Sequence, residues 1–466
     1  MFLQLFLYFV LSIFILTIVL CLCIVVLRTH YSSKKNKFPS QFSVAFFHPY
    51  CNSGGGGERV LWCAVSAVSA AYPKVKIIIY TGDLDASPIE IVKQAKLRFN
   101  IILPSNLEFI YLHKRKWVEA ENYPYFTLLG QSIGSIILGI EALKLFQPDV
   151  YIDTMGYAFT FPLFYIIAKC KVGCYVHYPT ISSDMMNKVV QQRGKRKRIS
   201  YIKLFYYQIF AKLYSMVGWF SDSIIVNSSW TEDHIKSLWK RSLSTHKVYP
   251  PCDTSDLQCI PLERSNKKSI KIISLAQFRP EKDHPLQLKA MYHLRQLVTE
   301  HLWENIELVF IGSTRNQEDK MRVVDMMDLC KHLSLENNVK FKVNVSYEEL
   351  KQELSEGFIG LHSMWNEHFG IGIVECMAAG LIMVAHRSGG PLMDIIIEEG
   401  AGQNGFLATN EVEYAHAIHK AILLTDEQKL SLQKAARGSV NRFSNDQFRD
   451  NFLRAVQPLF SSKKLT

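Results

Sequence analysis

Apolar residues along this chain come in short, dense blocks rather than in long stripes. The stretches "FSVAFF" (42–47), "KVKIIIYTGD" (74–83), "LEFIYL", "PDVYIDT", "VGCYVHYP" and "DSIIVNSS" are separated by segments long enough for helices. Blocks of this length predict buried strands, and their alternation with helices predicts a parallel sheet covered on both faces. Near "VYPPCD" (248–253) the pattern breaks into prolines and polar residues, irregular to about Lys268. It restarts with "IKIISLAQ", "IELVFIG", "VKFKV", "GFIGLHS" and "LIMVAH". The economical reading is α/β: two facing doubly wound domains, an N-terminal one over 31–260 and a C-terminal one over 261–466 that ends in helices. Ligands of such sheets bind beyond the carboxyl ends of the strands, so two facing sheets imply a cleft with one ligand per wall.

The first 30 residues follow a different pattern. From Phe2 to Leu27 no side chain is charged, and as a helix the run would span about 39 Å, enough to cross a bilayer. A cleaved signal peptide is the other reading, but it would want a leading basic residue and small residues at a cleavage site. Arg28, Lys34, Lys35 and Lys37 follow at once, which predicts a single-pass anchor with the body in the cytosol. A second apolar stretch, Phe126 to Phe146, contains Gln131, Glu141 and Lys144 and reads as a buried or membrane-skimming helix.

Composition narrows the class. The chain has 466 residues, 48% hydrophobic and 20% charged, which excludes a disordered protein and suits two ordinary domains. Its ten cysteines are scattered without a CxxC pair, as expected of free thiols in a reducing compartment. The formal charge of +11 is partly local: Lys195, Arg196, Lys197 and Arg198 precede an aromatic, apolar stretch within Asn187–Phe220. Such a segment suits nucleic acid or anionic lipid, and beside an anchor lipid is the better partner. A solvated loop leading into an ordinary core helix is the bland alternative.

Two motifs carry chemistry. In "HPYCNSGGGGERVLW", four glycines stand between a strand and a helix. A turn of that kind lets a backbone approach a phosphate and offers it free N–H groups, although a flexible solvent loop has the same composition. In "NEHFGIGIVECMAAGLIMVAHRSGGP", Glu367 and Glu375 flank a glycine turn at Gly370 and the start of a helix at Ile371. Carboxylates accept from sugar or ribose hydroxyls, while a helix N-terminus attracts phosphate.

With these motifs the chain resembles the retaining nucleotide-sugar glycosyltransferases of the GT-B fold, two facing Rossmann-like domains with a glutamate–seven residues–glutamate motif in the donor domain. "VHYPTISSDM" and "QFRPEKDHPLQL", with the anchor, narrow the resemblance to the alpha-1,2-mannosyltransferases of asparagine-linked glycosylation. The resemblance implies GDP-mannose as donor, a dolichol-diphosphate-linked Man3GlcNAc2 acceptor, two mannose additions, and the cytosolic face of the endoplasmic reticulum membrane. It also implies no metal or other cofactor, and a complex with other mannosyltransferases of the pathway. Nucleic acid is not an implied partner.

Residue by residue, the resemblance assigns Glu375, with Gly370 and Ile371, to the nucleotide and Glu367 to the transferred mannose. Lys282 is assigned to the diphosphate, Gly54, Gly55, Gly56 and Gly57 to its close approach, and His177 to the neighbourhood of the sugar. The family's usual arginine, five residues before the lysine, is Gln277 here, which leaves Arg279 as the nearest replacement. Asp184 reads equally as a residue that reaches the acceptor and as a polar loop residue, and the basic run Lys195 to Arg198, by its charge, as meeting the membrane. Read without the family, His177 is more readily a packed core histidine, and Lys282 reads as a surface lysine. Trp365 and Phe369 read as core rather than as platforms for sugar. A dinucleotide-dependent oxidoreductase would need a third spaced glycine that "GGGGERV" lacks. A non-catalytic binding protein would be marked by loss of Lys282 or Glu375, and both are present.

Overall fold

The computed structural model describes residues 22, 25–31, 41–191, 197–263, 269–400 and 402–461. Most of the expected anchor, with Lys195 and Arg196, lies outside the described residues. The chain forms two compact units. The first comprises 1–227, 231–248 and 449–466, and the second 228–230 and 249–448. The division expected at residue 260 therefore falls at 248/249. The final residues return to the first unit, where the Ser223 hydroxyl donates to the Ala455 carbonyl at 2.7 Å.

The first unit holds a seven-stranded sheet in the order β3-β2-β1-β4-β5-β6-β7. Its strands are β1 Ser43–Phe47, β2 Lys76–Thr81, β3 Glu108–Tyr111, β4 Val150–Asp153, β5 Lys171–Val176, β6 Ser223–Val226 and β7 Thr245–Lys247. All neighbours are parallel, with Phe47 paired to both Tyr80 and Asp153. The second unit has a six-stranded parallel sheet in the order β10-β9-β8-β11-β12-β13. It comprises β8 Ile270–Leu275, β9 Ile306–Gly312, β10 Val339–Val343, β11 Ile359–His362, β12 Ile382–His386 and β13 Gly405–Ala408. Residues of β1, β4, β6, β11 and β12 are buried throughout, which is why their sequences read as unbroken apolar blocks. The short β7 and β13 carry no such block and were not expected.

Each sheet reverses its order beside its first strand, between β1 and β4 and between β8 and β11. Such switch points open a crevice at the carboxyl ends. Four helices carry the argument, numbered here α1 Gly56–Ala71, α2 Thr127–Leu145, α3 Lys197–Gly218 and α4 Ile371–Ala378. Helix α2 has the length and hydropathy to cross a membrane. Yet Ser132, Gly134, Ser135, Leu138, Gly139, Ala142 and Leu143 are buried, and a Cβ on Gly134 would lie 1.8 Å from the Trp117 carbonyl. It is packed on the first unit along one face, in keeping with the buried-helix reading.

Candidate functional site

In the first unit the glycine turn leaves β1 and enters α1 with Gly55 at the N-cap. The turn already holds a carboxyl group of its own. The Glu58 carboxylate, buried in the first turn of α1, accepts the Gly55 N–H at 2.7 Å. Burial pushes its pKa up, against the amides of Gly55, Gly54 and Ser53 and the charge of Arg98, which stabilise the ionised form. The expected set of free N–H groups is thus partly occupied from within the chain. Gly54 has φ +82°, in the left-handed region that favours glycine. Further support comes from the Asn52 N–H, which donates to Asp83 at 3.0 Å, and from Arg98, which donates to the Asn52 carbonyl at 2.9 Å.

His177 follows β5 and meets this turn: a Cβ on Gly57 would sit 3.6 Å from its Nε2. That nitrogen is 3.1 Å from the Thr154 carbonyl, which only accepts, so Nε2 carries a proton. The Thr154 hydroxyl lies 2.8 Å from His48 Nδ1. Burial, with neighbouring His177, lowers the pKa of His48 to about 3. His177 is half-buried at a strand end rather than packed in the core. The structure thus brings the glycine turn and His177 together and adds His48, Thr154 and Glu58, which sequence reasoning did not single out.

The second unit concentrates charge at the switch between β8 and β11. Lys282, on a short 3-10 turn after β8, forms an ion pair with Glu367, which follows β11. His362, the last residue of β11, places Nε2 3.2 Å from the same carboxylate oxygen. Burial would raise the pKa of Glu367, but Lys282 and His362 outweigh it and hold the carboxyl well below the usual range. His362 is itself shifted down by burial, against the pull of Glu367. The platform beneath is polar and buried. Gln287 donates to the Ser363 hydroxyl at 2.8 Å. That hydroxyl reaches the carbonyls of Lys282 and Asp283 at 2.8 and 2.9 Å. Tyr414 donates to the His362 carbonyl at 2.8 Å.

The glycines around Glu367 have steric reasons. Gly370, φ +115°, is the N-cap of α4. Gly389 has φ +58°, and its Cβ would come 2.3 Å from the Glu367 carbonyl. The Gly390 N–H donates to that carbonyl at 2.7 Å. "HRSGGP" therefore clamps the loop that carries Glu367. Glu375 is half-buried on α4, close enough for its charge to act on Tyr347.

Other expected residues fall elsewhere. Gln277 donates to the Ser313 hydroxyl at 3.3 Å. Arg279 approaches Glu281 at 3.8 Å, and burial and neighbouring Arg315 lower its pKa. The partner of Lys282 seen here is Glu367, not either of these. Asp184 lies 3.8 Å from His234. Lys197 and Arg198 open α3. Phe369 is buried against Tyr249 and Phe443 as expected of core, whereas Trp365 is 43% exposed and is not core. His362 was legible only as the end of the block "GFIGLHS"; its position at a strand end beside the switch was the available signal.

Residues 41–239 match the family model described as ALG11 mannosyltransferase N-terminus, and residues 261–439 match glycosyl transferases group 1. HepE from Anabaena, solved in complex with UDP, shares the fold at TM-score 0.61 and 16% identity, covering 90% of this chain and 100% of that one. Sucrose-phosphate synthase from Thermosynechococcus elongatus does so at TM-score 0.63 and 16% identity, again covering 90% and 100%. Fold and family model together define a GT-B glycosyltransferase.

Curated relatives go further. The Xenopus laevis protein named GDP-Man:Man(3)GlcNAc(2)-PP-Dol alpha-1,2-mannosyltransferase is 51% identical over 427 residues, covering 90% of this chain and 87% of its own. The Homo sapiens protein of the same name is 47% identical over 462 residues, covering 95% and 94%. The chain belongs to this alpha-1,2-mannosyltransferase family.

Proposed function

We propose that the chain transfers mannose from GDP-mannose, in alpha-1,2 linkage, to Man3GlcNAc2 carried on dolichol diphosphate. It adds the fourth and fifth mannoses on the cytosolic face of the endoplasmic reticulum, held there by the N-terminal apolar run. The observation that carries this reading is the Lys282–Glu367–His362 cluster at the carboxyl ends of β8 and β11, inside the region matching group 1 glycosyl transferases.

As the bond from mannose to GDP breaks, negative charge grows on the diphosphate and positive charge on the sugar ring. Lys282 and the first amides of α4, at Ile371 and Gly372, serve the diphosphate. Glu375 accepts from the ribose, and Glu367 lies against the mannose with its charge fixed by its two partners. Gly54 to Gly57 and His177 serve the sugar diphosphate, Arg279 assists Lys282, and Asp184 serves the acceptor. These charges are supplied by side chains and helix ends, so the reaction runs without a divalent metal. Alpha donor and alpha product mean retention. The acceptor hydroxyl attacks C1 on the face that GDP leaves, and its proton passes to the departing phosphate oxygen.

The test is donor turnover by the purified full chain in EDTA, with GDP-mannose, UDP-N-acetylglucosamine or UDP-glucose and a lipid-diphosphate acceptor bearing the trimannosyl core. Two successive mannose additions from GDP-mannose are expected. Transfer from another donor would overturn the substrate assignment. An absolute need for added metal would overturn the metal-free mechanism.

A further inference from the structure

Four consecutive glycines make the least constrained backbone a chain can build, so the turn at Gly54–Gly57 needs something to hold it in one shape. Glu58 does so from the first turn of α1. Its side chain is only 3% exposed and folds back onto the turn. The Gly55 N–H donates to it at 2.7 Å, and the backbone N–H groups of Gly54 and Ser53 hydrogen-bond to the same carboxylate. Arg98, near the end of the helix Pro88–Phe99, adds its positive charge. Its guanidinium donates to the Asn52 carbonyl at 2.9 Å and would lie 3.2 Å from a Cβ on Gly54.

The other amides divide into two pairs. Those of Glu58 and Arg59 donate to the Gly55 carbonyl at 3.1 and 3.3 Å. Gly56 and Gly57, the first residues of α1, are left as the N–H groups of the turn with no acceptor among the described residues. The side of the turn away from Glu58 is open. Gly55 has φ −99° and ψ 168°, a conformation available to any residue, and a Cβ there would meet no atom of the described residues within 4 Å. A Cβ on Gly57 would make only ordinary contacts, with His177 at 3.6 Å and His48 at 4.0 Å. Neither strain nor packing within the chain calls for glycine at 55 or 57, and glycine there lowers stability. Bare backbone at these two positions suits a ligand that comes close.

We infer that Glu58 is a positioning residue for the donor diphosphate: by taking up the amides of residues 53 to 55, it fixes the turn so that the phosphate meets the N–H groups of Gly56 and Gly57 across the bare backbone of Gly55. This rests on the mannosyltransferase reading above and deepens it, naming the side chain that sets the register of the diphosphate. Register matters because negative charge grows on the leaving diphosphate, and donors fixed beforehand stabilise it without reorganising. Glu58 also brings a negative charge towards the phosphate, which the three amides and Arg98 offset. Without the carboxylate those amides would form a second, deeper anion site, and the phosphate would settle out of line for transfer.

The experiment compares Glu58→Ala, Glu58→Gln and Gly55→Ala in the full chain by GDP-mannose turnover, calorimetric titration with GDP and thermal melts. Glu58→Ala should lower kcat on the order of a hundredfold, the scale of a misplaced reacting group, while GDP binds as tightly as in the wild type or more tightly. Glu58→Gln keeps an acceptor for the Gly55 N–H and should recover much of the rate. Gly55→Ala should leave Tm undiminished yet weaken GDP binding about tenfold, because its methyl group fills the space the phosphate needs. Wild-type kcat in a folded Glu58→Ala protein overturns the inference, as does a Glu58→Gln variant no faster than Glu58→Ala. Should Glu58→Ala fail to fold, a Glu58→Gln variant that melts like the wild type but binds GDP more weakly with kcat unchanged overturns it. Unchanged GDP affinity in Gly55→Ala overturns the placement of the diphosphate. Absence of transfer by the wild type would instead count against the underlying mannosyltransferase reading, and the GDP titrations would still judge the turn.

Discussion

His362 Nε2 lies 3.2 Å from the Glu367 carboxylate, on the oxygen that also pairs with Lys282. One buried carboxylate is thereby held from two sides by residues that leave two adjacent strands. His362→Ala should lower kcat on the order of a hundredfold, the scale of a 1 Å misplacement at a reacting centre, while GDP affinity stays near wild type. His362→Gln, which keeps a donor, should recover part of the rate. Equal kcat in wild type and the alanine variant would show that Glu367 needs no such support.

Removing Lys282 alone leaves Glu367 largely buried without its ion-pair partner. Lys282→Met should destabilise the second unit by about 3 kcal/mol, as broken buried pairs do, and slow transfer more than it weakens donor binding. Adding Glu367→Gln should restore most of the stability but not the turnover. Denaturant midpoints of the single and double variants decide this, and an additive loss would refute the coupling.

Glu375→Ala should weaken GDP binding without unfolding α4, since the residue is only half-buried. Calorimetric titration with GDP measures it. Unchanged affinity would remove Glu375 from the nucleotide site.

Two glycine substitutions should differ in sign. Gly389→Ala places a Cβ 2.3 Å from the Glu367 carbonyl at φ +58°, so Tm and turnover should both fall. Gly438 sits in the helix Asp426–Ser439 with nothing within 4 Å of a Cβ. Gly438→Ala should therefore stabilise, by up to about 1 kcal/mol. Thermal melts of both would test the pairing, and a neutral Gly389 variant would contradict the close approach.

Acid should weaken the fold before the carboxylates protonate. Burial lowers His48 and His284 to about 3 from an ordinary value of 6.5. Both histidines are neutral when folded, so their contribution is complete above about pH 6.5. As pH falls from there towards 3, the unfolded chain binds the extra protons, and each site removes about 1.4 kcal/mol per pH unit. Glu367, held below the usual carboxylate range, adds its loss only at lower pH. Unfolding free energies between pH 7 and 4 should slope accordingly, and a flat profile across that window would be incompatible with two buried neutral histidines.

Much of this protein was legible before any coordinates. Dense apolar blocks mark strands, and eleven such blocks correspond to β1–β6 and β8–β12, although the edge strands β3 and β10 are only partly covered. The three residues of β7 and the four of β13 escaped because pairing with a neighbour, not apolar patterning, makes them strands. Glu367, Lys282 and the glycines stood out as motifs. Glu58 did not, because a helix-forming glutamate looks the same whether it faces solvent or fills its own N-terminal turn.

The sequence by itself determined two parallel α/β sheets, the glycine turns that only small residues can make, and the chemical character of the motifs. These follow from local periodicity and from backbone angles that few residues accept. Tertiary structure alone decided which charges meet: Lys282 and Glu367 are 85 residues apart, and strand order at the switch brings them together. It also decided which apolar face of α3 is buried. Periodicity shows that a helix has two such faces, but only packing against Trp239 and the core selects Phe210 and Tyr214 and leaves Phe205 and Ile209 outside.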